Sequence, residues 1–288
     1  MSNLETVRGS CLCGTVAWEA GQPFTLMSHC HCSMCRKSHG APFATYVAAP
    51  AASFRWLQGE DAIARYRSSD KNVRTFCKHC GSIVPESVSG ELAWMPAGCL
   101  DSDPGARPRA HIFVASKAAW YPLPEDGLPR FDAYPPGYGE AVSVRASEAA
   151  IEPGWVRGTC LCNDVAYEIE QGGWTLMQCH CSRCRKARSA AHGGNLFAKP
   201  ERFRWIRGEQ NVQAYKLPEA ARFAAAFCKR CGSSMPRSAP THTVVPAASL
   251  DGDPGIVARR HIFVESKAPW FTIADDFPQD PAFPPAVT

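Results

Sequence analysis

The chain has 288 residues, enough for two domains of ordinary size or one large one. With 45% hydrophobic and 20% charged residues and a mean hydropathy of -0.23, it is neither a disordered nor a membrane-embedded composition. The net charge of +4, from 31 basic and 27 acidic side chains, makes no demand for a nucleic-acid or anionic-membrane partner.

The first residues, Met-Ser-Asn-Leu-Glu, lack a basic segment followed by an apolar run, so no signal peptide is expected. The longest uncharged stretch, from Gly40 to Phe54, is interrupted by Pro42 and Pro50 and falls short of a membrane helix. A cytoplasmic protein is expected. Its 15 cysteines then call for metal binding, because a reducing compartment rarely keeps disulfides.

The chain also repeats itself. GSCLCGTVAWE from Gly9 returns as GTCLCNDVAYE from Gly158, HCHCSMCRK from His29 as QCHCSRCRK from Gln178, and FRWLQGE from Phe54 as FRWIRGE from Phe203. TFCKHCGSIVP from Thr75 pairs with AFCKRCGSSMP from Ala226, HIFVASKAAW from His111 with HIFVESKAPW from His261, and even the Pro-rich tails match. This predicts a first domain over residues 1–139, a linker over 140–153 and a second domain over 154–288. Within each copy the apolar residues alternate with period two, as at Val16-Trp18, Val165-Tyr167-Ile169 and Ile112-Val114, and turn clusters such as Asp101-Ser102-Asp103-Pro104-Gly105 separate them. The expected class is mainly β, in short antiparallel sheets whose small cores would gain from metal staples.

Each copy carries seven cysteines at matching positions. Cys11, Cys13, Cys77 and Cys80, repeated as Cys160, Cys162, Cys228 and Cys231, form a C-x-C and a distant C-x-x-C-G that meet only if the sheet folds back. Four thiolates make a closed tetrahedral site, the mark of structural zinc; a redox pair or an iron–sulfur cluster is the competing reading. Cys30, Cys32 and Cys35, repeated as Cys179, Cys181 and Cys184, are one ligand short. Zinc held by three ligands keeps a position open for a reacting group. His31 and His180 could close it, but adjacent residues in a tight ligand loop point different ways, so these imidazoles are expected to face outward or to support the ligands. Zinc with three thiolates carries a formal negative charge and suits a bound thiol better than a carbonyl. The pairs Arg36-Lys37 and Arg185-Lys186 could meet the carboxylates of an anionic thiol, or could be solvated surface.

G-x-C-x-C, C-H-C-x-x-C-R-K, F-C-x-x-C-G-S and H-I-F-V-x-S-K-x-x-W, in this order and twice over, resemble the glutathione-dependent formaldehyde-activating enzyme family, which includes centromere protein V. The resemblance implies two tandem β-tent zinc domains, four Zn2+ per chain, and carbon-sulfur lyase activity joining formaldehyde to glutathione. It implies that Cys30, Cys32 and Cys35, with Cys179, Cys181 and Cys184, hold the catalytic metal. The alternative is a non-catalytic zinc module for a protein or chromatin partner, although no long basic tail supports nucleic-acid binding. The tandem arrangement could form an intrachain pseudo-dimer. The second copy has Arg188 where the first has His39, and Gly193-Gly194 where the first has a stiffer segment after Pro42, so its site is expected to accept a more anionic or bulkier ligand. His111 and His261 read as strand-edge polar residues, Cys99 as a packed side chain, and Trp56, Trp120, Trp205 and Trp270 as core.

Overall fold

The computed structural model describes residues 6–70, 72–86, 90–138 and 151–284. Residues 140–150 of the expected linker lie outside them. The first copy runs β1 (Thr6–Ser10), β2 (Ala17–Gly21), β3 (Met27–Cys30), α1 (Ser33–His39), β4 (Ala44–Pro50), β5 (Phe54–Gln58), β6 (Ile63–Ser69), β7 (Asn72–Cys77), β8 (Leu92–Pro96), β9 (His111–Ile112) and β10 (Arg130–Phe131). The second runs β11 (Trp155–Thr159), β12 (Ala166–Glu170), β13 (Thr175–Cys179), α2 (Ser182–Arg188), β14 (Gly193–Ala198), β15 (Phe203–Arg207), β16 (Val212–Lys216), β17 (Ala224–Cys228), β18 (Arg237–Ser238), β19 (Thr243–Pro246), β20 (His261–Ile262) and β21 (Gln279–Asp280). The fold is mainly β.

Each copy builds a small antiparallel sheet, a separate hairpin and a larger sheet. The small sheets have the orders β1-β2-β5 and β11-β12-β15, and the hairpins are β6-β7 and β16-β17. Alternation works as period-two patterning requires: Val7, Trp18 and Ala20 point into the core, while Arg8 and Arg55 flank Glu19 on the other face. Gly9 is needed there, since a Cβ would stand 2.6 Å from the Trp18 ring. The larger sheets, β10-β9-β3-β4-β8 and β18-β19-β14-β13-β20-β21, mix antiparallel ladders with two-residue parallel pairs at β9 and β20. The alternation at Ile112-Val114 does not continue as a strand: Phe113 takes a left-handed conformation, φ 59°, and Val114–Ser116 form a 3-10 turn.

The copies do not fold around separate cores. One cluster joins Trp18, Phe43, Met95 and Trp120 to Tyr167, Ile169, Leu196 and Trp270. The contacts across the join come in reciprocal pairs. Phe76 and Phe227 meet edge to face, with Gly232 lying under the first ring and Gly81 under the second. Tyr66 from β6 packs on the four-cysteine cluster of the second copy, and Tyr215 from β16 packs on the same core as Cys11, Cys77 and Cys80 of the first. Gly98 lets the turn after β8 approach α2 so closely that a Cβ would sit 2.1 Å from the Ala190 nitrogen. Gly194 likewise lies directly under the Trp120 ring. It therefore does not loosen the second site as expected: Gly193 and Gly194 pair with Cys179 and Gln178 inside β14.

Candidate metal centres

The turn between β1 and β2 carries Cys11 and Cys13, and the end of β7 carries Cys77, with Cys80 in the turn beyond. The Leu12 amide donates to the Ser82 hydroxyl at 3.0 Å, tying the two turns together. Gly81, at φ 76°, makes the tight bend after Cys80 that a side chain would strain. All four sulfurs lie within 4.8 Å of one another. Cys11 and Cys13 are 3.4 Å apart and Cys13 and Cys77 3.7 Å, far beyond a disulfide. Tetrahedral Zn–S bonds of about 2.3 Å require sulfur separations of about 3.8 Å, so the donor set fits such an ion. The second copy reproduces this geometry, with 3.4 Å between Cys160 and Cys162, 3.7 Å between Cys162 and Cys228, and 3.0 Å from the Leu161 amide to Ser233.

The three-cysteine clusters form where an inner strand of each larger sheet, β3 or β13, runs into a short α-helix. Cys30 ends β3, Cys32 caps α1 with its sulfur accepting from the Cys35 amide at 3.3 Å, and Cys35 lies in the first turn. A seven-residue helix is too short to be stable alone, so this sulfur cap and the left-handed Gly40 that ends it set its place. In the second copy Cys181 caps α2 in the same way and Ser189 takes the left-handed position, φ 51°. Each trio of sulfurs lies within 4.8 Å, a donor set that could hold one metal ion with a position to spare. Cys30 and Cys35 also line a pocket of about 580 Å³. Its walls include Tyr46, Arg74, Glu86, Trp94, Tyr134 and Tyr138.

The sequence profile of the glutathione-dependent formaldehyde-activating enzymes matches residues 6–116 and again 155–266. The chain belongs to this family. A candidate glutathione-dependent formaldehyde-activating enzyme of Halomonas elongata is 27% identical over 139 residues, which cover 45% of this chain and 88% of that protein. An uncharacterised lyase of Schizosaccharomyces pombe is 31% identical over 76 residues, 26% of this chain and 53% of the lyase. A crystal structure of a Rhodobacter sphaeroides protein aligns with 43% of this chain and 98% of its own, at 22% identity and a TM-score of 0.28.

In this family member the four basic residues expected to meet a substrate do not line the first pocket. Lys37 binds Asp251 and the Thr159 hydroxyl, and Lys186 binds Asp101 and the Ser10 hydroxyl, both at 2.5 Å. Each lysine therefore joins one copy to the other. Arg36 and Arg185 use Nε to hold the carbonyls of Ser116 and Ser266, both at 3.1 Å. The charged group that does reach the first cluster is Arg74, buried, with Nη2 3.7 Å from Cys35 Sγ and Nε without a partner among the described residues. Burial opposes its charge, but the Cys35 sulfur holds the guanidinium protonated. The hydrogen bonds of Cys30 and Cys32, with help from Arg74, keep Cys35 well below the usual thiol range.

His31 and His180 face inward, fully buried, rather than outward. His31 Nε2 bonds to His111 Nδ1 at 2.9 Å, and His111 Nε2 to Asp126 at 2.8 Å. The chain repeats this as His180–His261 at 2.8 Å and His261–Asp275 at 3.0 Å. His111 and His261 are thus interior, each flanked by strands on both sides, not strand-edge residues. Burial pushes both His31 and His180 down to about 3, so they stand as neutral imidazoles. This is the arrangement expected of groups that fix a ligand loop from behind.

Proposed function

We propose that the protein is a zinc-dependent carbon-sulfur lyase acting on adducts of a small thiol, glutathione or one like it, with formaldehyde or another small aldehyde. Its setting would be the cytoplasm; among the described residues, no helix is long and apolar enough to cross a membrane. The observation that carries the reading is the pocket of about 580 Å³ whose wall includes Cys30 and Cys35 of the three-cysteine cluster. Two four-cysteine sites would be structural and two three-cysteine sites reactive, with four zinc ions per chain.

Zinc in a three-thiolate site supplies one thing, a lowered pKa for a thiol taking the open position. In the synthetic direction the thiol sulfur forms a bond to the aldehyde carbon, the carbonyl π bond opens, and the thiol proton ends on the new hydroxyl oxygen; the lyase direction reverses each change. The residues of the chain bind and orient. Arg74 would hold a ligand carboxylate next to Cys35, and Tyr46, Trp94, Tyr134 and Tyr138 would exclude water and cover the ligand stem. The His31–His111–Asp126 series would hold the Cys30–Cys32 loop in place. The domains proposed remain 1–139 and 154–288, and their reciprocal contacts support an intrachain pseudo-dimer.

Metal analysis joined to NMR exchange spectroscopy of glutathione with formaldehyde tests this. Four zinc ions and accelerated exchange are expected; full zinc loading with no acceleration for any thiol would overturn the enzyme.

A further inference from the structure

The two three-cysteine sites share their ligands but not their surroundings, and the differences occur together. The motif register pairs His39, Tyr46, Arg74 and Glu86 of the first copy with Arg188, Asn195, Ala225 and Arg237 of the second. In the first site Tyr46 hydrogen-bonds to His39 at 2.9 Å and Arg74 approaches Cys35. In the second, Asn195 donates to Cys184 Sγ at 3.7 Å, replacing the donor that Ala225 cannot supply. The cation moves from strand to helix: the Arg188 stem lies over Gly193, beside Asn195, and its charge acts on Cys184 and Cys179. Each site thus has an arginine beside its cysteine cluster, on a strand in the first and on a helix in the second.

That leaves the Glu86/Arg237 pair as a difference with no structural counterpart. Glu86 lines the first pocket together with Arg74 and Arg109, so that pocket presents an anion among its cations. Arg237 holds the position of Glu86 on β18, which pairs with β19 and through it with β14, the strand that carries Asn195, so the second copy has a cation where the first has an anion. Building on the thiol-adduct reading, we infer that the two sites are specialised by charge. The first takes a thiol bearing both an ammonium and a carboxylate, and the second takes a thiol whose groups are all anionic. Glu86 and Arg237 are the specificity-determining residues.

Glutathione and N-acetylglutathione make suitable probes, since acetylation removes the ammonium and leaves both carboxylates and the thiol. Calorimetric titration of the zinc-replete full chain carrying Cys32→Ser reads the second site, and of that carrying Cys181→Ser the first. The second site should bind N-acetylglutathione about tenfold more tightly than glutathione, the factor that about 1.4 kcal/mol of charge pairing gives, and the first should show the opposite order. Should either cysteine variant fail to fold, Glu86→Arg and Arg237→Glu in the otherwise unchanged chain carry the test. The first should create a second N-acetylglutathione-preferring site and the other should abolish the one present. Equal preferences at the two sites, unmoved by Glu86→Arg and Arg237→Glu, would overturn the specialisation and leave the lyase reading intact. Absence of thiol binding at both sites would overturn both.

Discussion

The two four-cysteine centres match closely, down to a serine hydroxyl accepting from the leucine amide between the first two ligands, whereas the two three-cysteine clusters keep their sulfurs and exchange much of what surrounds them. Closed centres answer only to the geometry of an ion and of the turns that present the sulfurs, so any departure costs folding free energy. Open clusters answer in addition to a ligand, and a second copy in the same chain can change that answer while the first retains its own. On the proposed reading, any difference in ligand preference between the two clusters resides in the surrounding residues that differ between the halves.

The comparison breaks most visibly through the closed centres. Cys77→Ser should unfold the chain or lower its stability by several kcal/mol, since structural thiolate zinc contributes folding free energy directly. Because one core spans both copies, circular dichroism should report loss of structure in the second half as well. A thermal midpoint unchanged from that of the parent chain would show that the closed centre is not structural. Cys32→Ser should leave the β signal in place and lose one metal ion on elemental analysis, and graded chelation should strip two ions before the fold fails. A Cys32→Ser chain as disordered as Cys77→Ser would erase the distinction between the two kinds of centre.

Smaller effects sharpen it. Gly98→Ala should destabilise by about 1–3 kcal/mol in urea, because the added methyl meets the Ala190 backbone and neither chain can give way. His192 occupies the position of Phe43, buried with both ring nitrogens unpartnered among the described residues. His192→Phe should stabilise by about 1 kcal/mol at neutral pH. Burial holds His192 well below 6.5, so the unfolded chain takes up the proton first as pH falls and stability rises with pH through that window. The phenylalanine variant should lose part of this slope, measured as urea midpoints between pH 7 and pH 5.

The cysteine clusters were legible in the sequence because cysteine spacing and repetition are local signals, and short strands followed from alternation at Val16-Trp18 and Val165-Tyr167-Ile169. Arg74, Glu86 and Arg237 were not, since a search for repetition passes over positions that change between copies. Lys37 and Lys186 misled for the opposite reason. They recur next to the ligands, yet recurrence there reflects the contact that each makes with the other half. His111 and Asp126 were hidden by the two-residue parallel pairing that takes the strand inside, a long-range feature no local pattern announces.

The left-handed residues that end the two helices carry one more meaning. Gly40 leaves room for Ser234, while its counterpart Ser189 uses its hydroxyl to reach the Ile83 carbonyl at 2.9 Å and lies 3.1 Å from the Cys99 sulfur. Ser234 and Ile83 are themselves counterparts, as are Cys99 and Ser249. Neither half joined to a copy of itself would reproduce these encounters: two first halves would set isoleucine against Gly40, and two second halves would face serine with serine. The join is thus keyed like a heterodimer, and covalent fusion guarantees that each half always meets its correct mate.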